Sequence, residues 1–338
     1  MKYILYCAIR KKRLIYDTLY SILTLFHATR ITENITIVIF TDQANSFYKE
    51  MKGIEIPSKF SIKIEEISLE TIKNWTKNGD IFNVKIYSIK QFFLKYKQNV
   101  LFLDSDMYLV NNLAPIFELI ESNQFVMYNK RSFNLFEIMN TTREDLGNLE
   151  DNVVTSNGMI ILKDSKYSIP FDCATYESGV IGINYKYKDI IDEVIDFYVD
   201  FYRSFGYENS EEISFGYVFQ NISKICLARG ILNHYSNLDF IRYIIAYSLK
   251  TFFDNDKYKL EEVLNHYNIS ISDLNKMVSS YDDVKYFLLI FKLFVFKENL
   301  QNSDILLCAM GEQTISNFSV EKSKLLDVAS KFKSLLNL

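Results

Sequence analysis

The stretch Asn99-Val100-Leu101-Phe102-Leu103-Asp104-Ser105-Asp106-Met107-Tyr108-Leu109-Val110 decides the fold class. Its first half is the most strand-like segment in the chain, and its continuous apolar character suits a strand covered on both faces. It runs straight into two aspartates separated by one serine. Along an extended chain, side chains alternate faces, so Asp104 and Asp106 are expected on one side and Ser105 on the other. In open parallel sheets, ligands bind beyond the carboxyl ends of the strands. Two carboxylates there make a hard-oxygen site suited to Mg2+ or Mn2+. Two anions in a partly buried crevice are costly unless something cationic sits between them.

A D-x-D alone is weak evidence, since a chain of this length holds about one by chance. Asp254-Asn255-Asp256 is the internal control: it follows the helical-looking Ile241 to Phe253 and has no strand behind it. Context separates the two pairs.

Upstream, the apolar run Tyr3 to Ile9 predicts a strand. Leu14, Ile15, Thr18, Leu19, Ile22, Leu25 and Phe26 then recur at helical spacing, and Ile35 to Phe40 is a second short apolar run ending at Thr41-Asp42. Strand, helix and strand at this spacing form a βαβ unit, which implies parallel pairing. Ile62 to Ile67 alternates as a strand does, and residues 83 to 97 predict a helix. Downstream, Pro115 suits the first turn of a helix through Ile120. Residues 129 to 152 are polar and irregular, as expected of a loop over a site. Met159 to Leu162 and Val180 to Ile183 are strand candidates, and residues 189 to 203 carry an amphipathic helical stripe. Beyond Asp239 only helical periodicities remain. The expected organisation is an α/β domain over 1–238, with a mostly parallel sheet flanked by helices, and a helical C-terminal region over 239–338.

Composition narrows the function. The chain has 338 residues, 49% of them hydrophobic, enough for a large buried core. A net charge of −4 gives no general basic field for nucleic acid. The basic run Arg10-Lys11-Lys12-Arg13 suits a solvated loop, with contact to phosphate or a membrane surface as the alternative. The four cysteines are dispersed, as expected of reduced thiols in a reducing, cytoplasmic setting. No apolar stretch reaches the roughly 20 residues that a transmembrane helix needs, so membrane contact is expected to be peripheral at most.

These residues resemble the GT-A nucleotide-sugar glycosyltransferases, particularly the family-eight and glycogenin-like group, in the D-x-D strand and in the order of later motifs. Glu177-Ser178-Gly179-Val180 is similar to the segment lining the donor sugar and acceptor. Asn157-Gly158 competes for that role, but only Ser178-Gly179 is followed by the long amphipathic helix. Glu211-Glu212 resembles an acidic element near the reacting sugar, and His234 resembles a late third metal ligand. Of the chain's three histidines, it alone lies in a polar stretch after a helix-like segment in the family's order. The resemblance covers residues 1 to 238; the Gly-x-x-Lys-Pro-Trp ending of family-eight relatives is missing.

What the resemblance implies is a GT-A fold and a retaining, Mn2+- or Mg2+-dependent transfer from a nucleotide-diphosphate sugar. The acceptor would be a carbohydrate, glycolipid or protein hydroxyl. Asp104, Asp106 and His234 would hold the metal. Ala8, Ile9, Arg10, Thr41 and Asp42 would surround the nucleotide, with Lys85 facing the diphosphate and Ser105, Ser178 and Gly179 near the donor. Glu177, Glu211 and Glu212 would serve as base or acceptor-orienting groups. For Glu211-Glu212 the plain alternative is a helix first turn, capped by Asn209 or Ser210, where acids are favoured. Rival functions are a haloacid-dehalogenase-like phosphatase, a nucleotidyltransferase and a non-catalytic sugar-nucleotide-binding protein. The first normally carries its D-x-D on the first strand. The second would want a glycine-rich loop after that strand, and Ala8 to Arg13 holds no glycine.

Overall fold

A computed structural model describes residues 2–28, 33–52, 54–77, 81–135, 137, 153–156, 158–162 and 165–234. All of them fall within the first compact unit of the chain, Met1–Tyr235. The helical region expected over 239–338, Asp254 and Asp256 included, lies outside the described residues.

The first three elements are β1 (Lys2–Ala8), α1 (Arg13–Ala28) and β2 (Ile35–Thr41), with β1 and β2 paired in parallel as the apolar runs predict. Then come α2 (Ala44–Glu50), β3 (Phe60–Glu66), α3 (Leu69–Trp75), α4 (Asn83–Tyr96), β4 (Val100–Leu103), β5 (Met107–Leu109) and α5 (Ala114–Glu121). The rest of the described chain supplies β6 (Phe125–Asn134), β7 (Val153–Ser156), β8 (Met159–Leu162), β9 (Ser168–Pro170) and β10 (Ala174–Ile183). It ends with α6 (Ile190–Phe205), α7 (Ser210–Ile222), β11 (Ile225–Leu227) and β12 (Leu232–His234).

The main sheet has seven strands in the order β11-β6-β10-β4-β1-β2-β3. Every neighbouring pair is parallel except those made by β10, which runs against both β4 and β6. The fold is therefore α/β, with a mixed, mostly parallel sheet flanked by helices. The chain leaves β1 for β2 and β3 on one side, then returns as β4 on the other. At such a reversal, beyond the carboxyl ends of β1 and β4, open sheets of this kind take their ligands.

Both faces of the sheet are buried, which is why its inner strands read as continuous apolar runs. On one face Leu5, Val38, Phe102, Ile181 and Met127 pack with Ile89 and Phe92 of α4, Val194 and Phe197 of α6, and Phe215 and Phe219 of α7. The other face meets α1, where the Tyr6 hydroxyl lies 2.8 Å from Ser21 Oγ, and α5, which approaches β10 at Gly182.

Three expectations are corrected. Residues 129 to 134 are not loop but the second half of β6, paired with β10. Their polarity follows from an alternating, half-exposed pattern, so the backbone hydrogen bonds of the sheet hold them extended. The aspartate pair does not continue β4 as extended chain. Met107 N–H donates to Asp104 C=O at 3.2 Å, closing a turn between β4 and β5. The segment directly before His234 is not helical either: after α7 ends at Ile222, the chain forms β11 and β12.

Gly182 has no room for a side chain. A Cβ there would lie 2.8 Å from Cδ1 and Cγ1 of Ile120 and 2.9 Å from Cβ of Val126. Gly182→Ala is expected to lower stability in urea denaturation by about 1–3 kcal/mol, the usual cost of overpacking. Adding Ile120→Val, which removes Cδ1, should recover part of the loss.

Candidate functional site

The site forms where β4 ends. The Asp104 N–H donates to Gly179 C=O at 2.9 Å, which fixes the start of the turn against β10. Pairing of β10 with β6 shifts register between Glu177 and Ile181. The bulge lets Ser178 and Gly179 bend toward β4; such irregularities re-aim side chains beside active sites. From the other side, α1 pins the turn: Thr18 Oγ1 donates to Ser105 Oγ at 3.0 Å, and Leu109 N–H donates to Thr24 Oγ1 at 3.0 Å. Ser105 is accordingly buried and directed at α1.

The third member arrives from the far end of the described chain. β12 pairs antiparallel with β5, setting His234 opposite Met107. Its Nε2 lies 2.9 Å from Asp106 Oδ1, and the Tyr128 ring meets the imidazole edge-on at 5.7 Å. Burial disfavours an imidazolium here, but the carboxylates of Asp106 and Asp104 outweigh it, and the His234 pKa is raised. One ligand atom from each of Asp104, Asp106 and His234 can be chosen so that all lie within 4.8 Å of one another. Two carboxylates and an imidazole at that spacing suit a divalent cation such as Mn2+ or Mg2+. Gly179 lies against this trio: a Cβ would sit 3.0 Å from Met107 Sδ and 3.5 Å from the His234 ring.

Behind the trio is a buried charge cluster. Lys85, on the first turn of α4, is 8% exposed. Its Nζ donates to Asp104 Oδ2 at 3.0 Å, Ser178 Oγ at 2.7 Å and Ser178 C=O at 3.3 Å, and lies 3.5 Å from Glu211 Oε1. Burial works against the ammonium, yet Asp104, Glu211 and Glu212 together raise its pKa and keep it charged. Ser178 Oγ in turn donates to Glu211 Oε1 at 3.2 Å.

The sequence-predicted residues thus separate into groups. Asp104, Asp106, His234, Lys85, Ser178, Gly179 and Glu211 come together at one point. Glu211 is 2% exposed and turned inward against Lys85, whereas Glu212 points to Arg131 and forms an ion pair with it. Neither Asn209 nor Ser210 supplies the capping bond expected at this helix start: the N-cap is Asn209, without a side-chain hydrogen bond. Glu177 is half-buried at the start of the bulge. Ala8 and Thr41 are register partners at the ends of β1 and β2, next to the buried Ile9. Arg10, at a left-handed φ of 65°, donates its N–H to Asp42 Oδ1 at 2.9 Å. The rival Gly158 lies in the turn just before β8, which belongs to a separate three-stranded sheet.

Sequence reasoning missed three participants: Thr18 and Thr24, which tether the turn, and Arg131, which holds Glu212. For the threonines the available signal was hydroxyls on the inward face of an apolar helix.

No protein-family description matches the chain, and no curated protein matches it in sequence. Among solved structures it is similar to mouse xyloside xylosyltransferase 1 in its apo form, at 9% identity and a TM-score of 0.46, over 67% of this chain and 84% of that one.

Because Lys85 answers two carboxylates in a buried place, Lys85→Met leaves Glu211 and Asp104 without their cation. Removing one partner of a buried ion pair typically costs about 3–5 kcal/mol. Chemical denaturation should show a loss of that order.

Proposed function

We propose that this chain is a divalent-metal-dependent glycosyltransferase, moving a sugar from a nucleotide-diphosphate donor to a hydroxyl on a carbohydrate, glycolipid or protein acceptor. The observation that carries this reading is the convergence of Asp104, Asp106 and His234 at the carboxyl end of a central parallel strand. A lone acidic turn would be unremarkable there. A turn completed by an imidazole from 128 positions away, with a glycine backbone laid against it, is a built site.

The donor set fits a hard or borderline divalent ion, held by Asp104, Asp106 and His234. Such an ion, when bound, acts as a Lewis acid on the diphosphate oxygens and eases departure of the leaving group. The remaining work falls to the protein. The ends of β1 and β2, tied by the Arg10 N–H on Asp42, form the side proposed for the nucleotide. Gly179 lets main chain approach the donor where a side chain would crowd Met107 Sδ and touch the His234 ring. Glu177, at the bulge, is proposed to orient the acceptor hydroxyl or take its proton. Retention of anomeric configuration is the course that the sequence resemblance implies. No described helix is long and apolar enough to cross a membrane.

The test is a nucleotide-sugar panel with and without Mn2+, scored for nucleoside diphosphate release. Release from at least one donor should require the metal, and Asp106→Asn should reduce it by about 100-fold or more, since losing a ligand should cost at least as much as losing one of the groups that orient the ligands. Equal release by the variant would place the chemistry elsewhere. A burst of phosphate from small phosphoesters, with no nucleotide needed, would replace transfer with phosphatase chemistry.

A further inference from the structure

The buried cluster behind Asp104 poses an electrostatic problem. An ammonium 3.0 Å from Asp104 Oδ2 competes with any cation for that same carboxylate. If all of its attraction fell on Asp104, the carboxylate would already be neutralised, and a divalent ion would gain little there. The structure divides the attraction. Glu211 Oε1 lies 3.5 Å from Lys85 Nζ, and Ser178 Oγ bridges the two, accepting from Lys85 at 2.7 Å and donating to Glu211 at 3.2 Å. Lys85 and Glu211 are 8% and 2% exposed, so water does little to screen either charge. The neighbouring Glu212 also attracts the ammonium, but it is paired with Arg131, so Glu211 is the second carboxylate in direct reach of Lys85.

Resting on the metal-dependent reading above, we infer that Glu211 is a positioning residue: it holds and offsets Lys85, so that Asp104 is oriented by the ammonium without being neutralised by it. In this role Glu211 stands outside the ligand trio of Asp104, Asp106 and His234. It acts through Lys85 on the carboxylate, and through Ser178 on the bulged main chain that carries Gly179. Groups that orient metal ligands in this way typically change affinity by about 10–100-fold when removed.

The experiment is a Mn2+ titration of the full chain, followed by the electron paramagnetic resonance signal of free Mn2+, with thermal unfolding measured in parallel. Glu211→Gln keeps the shape and removes the charge, so that more of the attraction of Lys85 falls on Asp104. Mn2+ affinity is expected to fall about tenfold. In the double variant Lys85→Met/Glu211→Gln the competing ammonium is gone as well. Affinity should rise above that of Glu211→Gln, short of the unmodified chain because Asp104 has also lost the ammonium that orients it, a coupling that independent contributions would not produce. Ser178→Ala, which cuts the bridge and leaves both charges, should weaken Mn2+ binding by an intermediate factor and serves if Glu211→Gln folds poorly. The inference is overturned if Glu211→Gln loses thermal stability yet binds Mn2+ as the unmodified chain does, since that is a purely structural role. It is overturned equally if the double variant binds no better than Glu211→Gln. If the unmodified chain binds no Mn2+ at all, the metal reading falls and takes this inference with it, an outcome distinct from the other two.

Discussion

One buried ammonium holds the centre of this domain together. Lys85 comes from α4, and its partners come from the turn after β4, the bulge of β10 and the first turn of α7. Four elements therefore meet at a single, largely buried charge. A desolvated cation is tolerable only when its counter-charges are placed accurately, because the interior offers little else to stabilise it. This makes the cluster a constraint as much as a bond: the ends of β4 and β10 and the starts of α4 and α7 must arrive in register, or the charge is stranded. Packing of Ile89, Phe92, Phe215 and Phe219 on the sheet supplies the driving force, and the ion cluster fixes which arrangement of those surfaces is accepted.

The same constraint explains where chemistry is concentrated. At the carboxyl ends of β1 and β4, charged and polar side chains gather instead of an apolar layer. The D-x-D turn is anchored on one flank by hydroxyls of α1 and on the other by the Gly179 carbonyl. Short tethers on both sides leave the two carboxylates few alternative directions. Preorganisation of that kind makes an acidic turn selective, because the cost of gathering like charges is met during folding and not at the moment of binding.

Much of this was legible in the residues. The runs Tyr3–Ile9, Ile35–Phe40 and Val100–Leu103 announce inner strands, since a strand covered on both sides has no reason to alternate. The pairing of Asp104 and Asp106 with the distant His234 came from motif order, and the three do gather. What escaped had physical causes. β6 is polar over Asn129 to Asn134 because that half is alternately exposed, and polarity without visible partners looks like loop. β11 and β12 span three residues each, too few for any period to register. The turn at Asp104 depends on a hydrogen bond that only tertiary context makes favourable. Lys85 and Glu211 left a fainter trace. Each stands one turn ahead of an apolar stripe, Ile89 after Lys85 and Phe215 after Glu211, so a charge occupies a position where the helix faces the core. Two such interruptions on separate helices are what a buried ion pair looks like before the fold is known.

The three-residue ladder between β5 and β12 has a consequence for how the domain is made. It is the only regular pairing described for β12, and it joins chain segments with about half of the domain's length between them. Contacts of such long sequence separation carry a loop-closure cost that is recovered only when the intervening chain has already condensed. The imidazole and the acidic turn are therefore strangers in any partly collapsed chain, and they meet as one of the last events on the way to the native state. A binding centre assembled this late reports on the integrity of everything threaded between its halves.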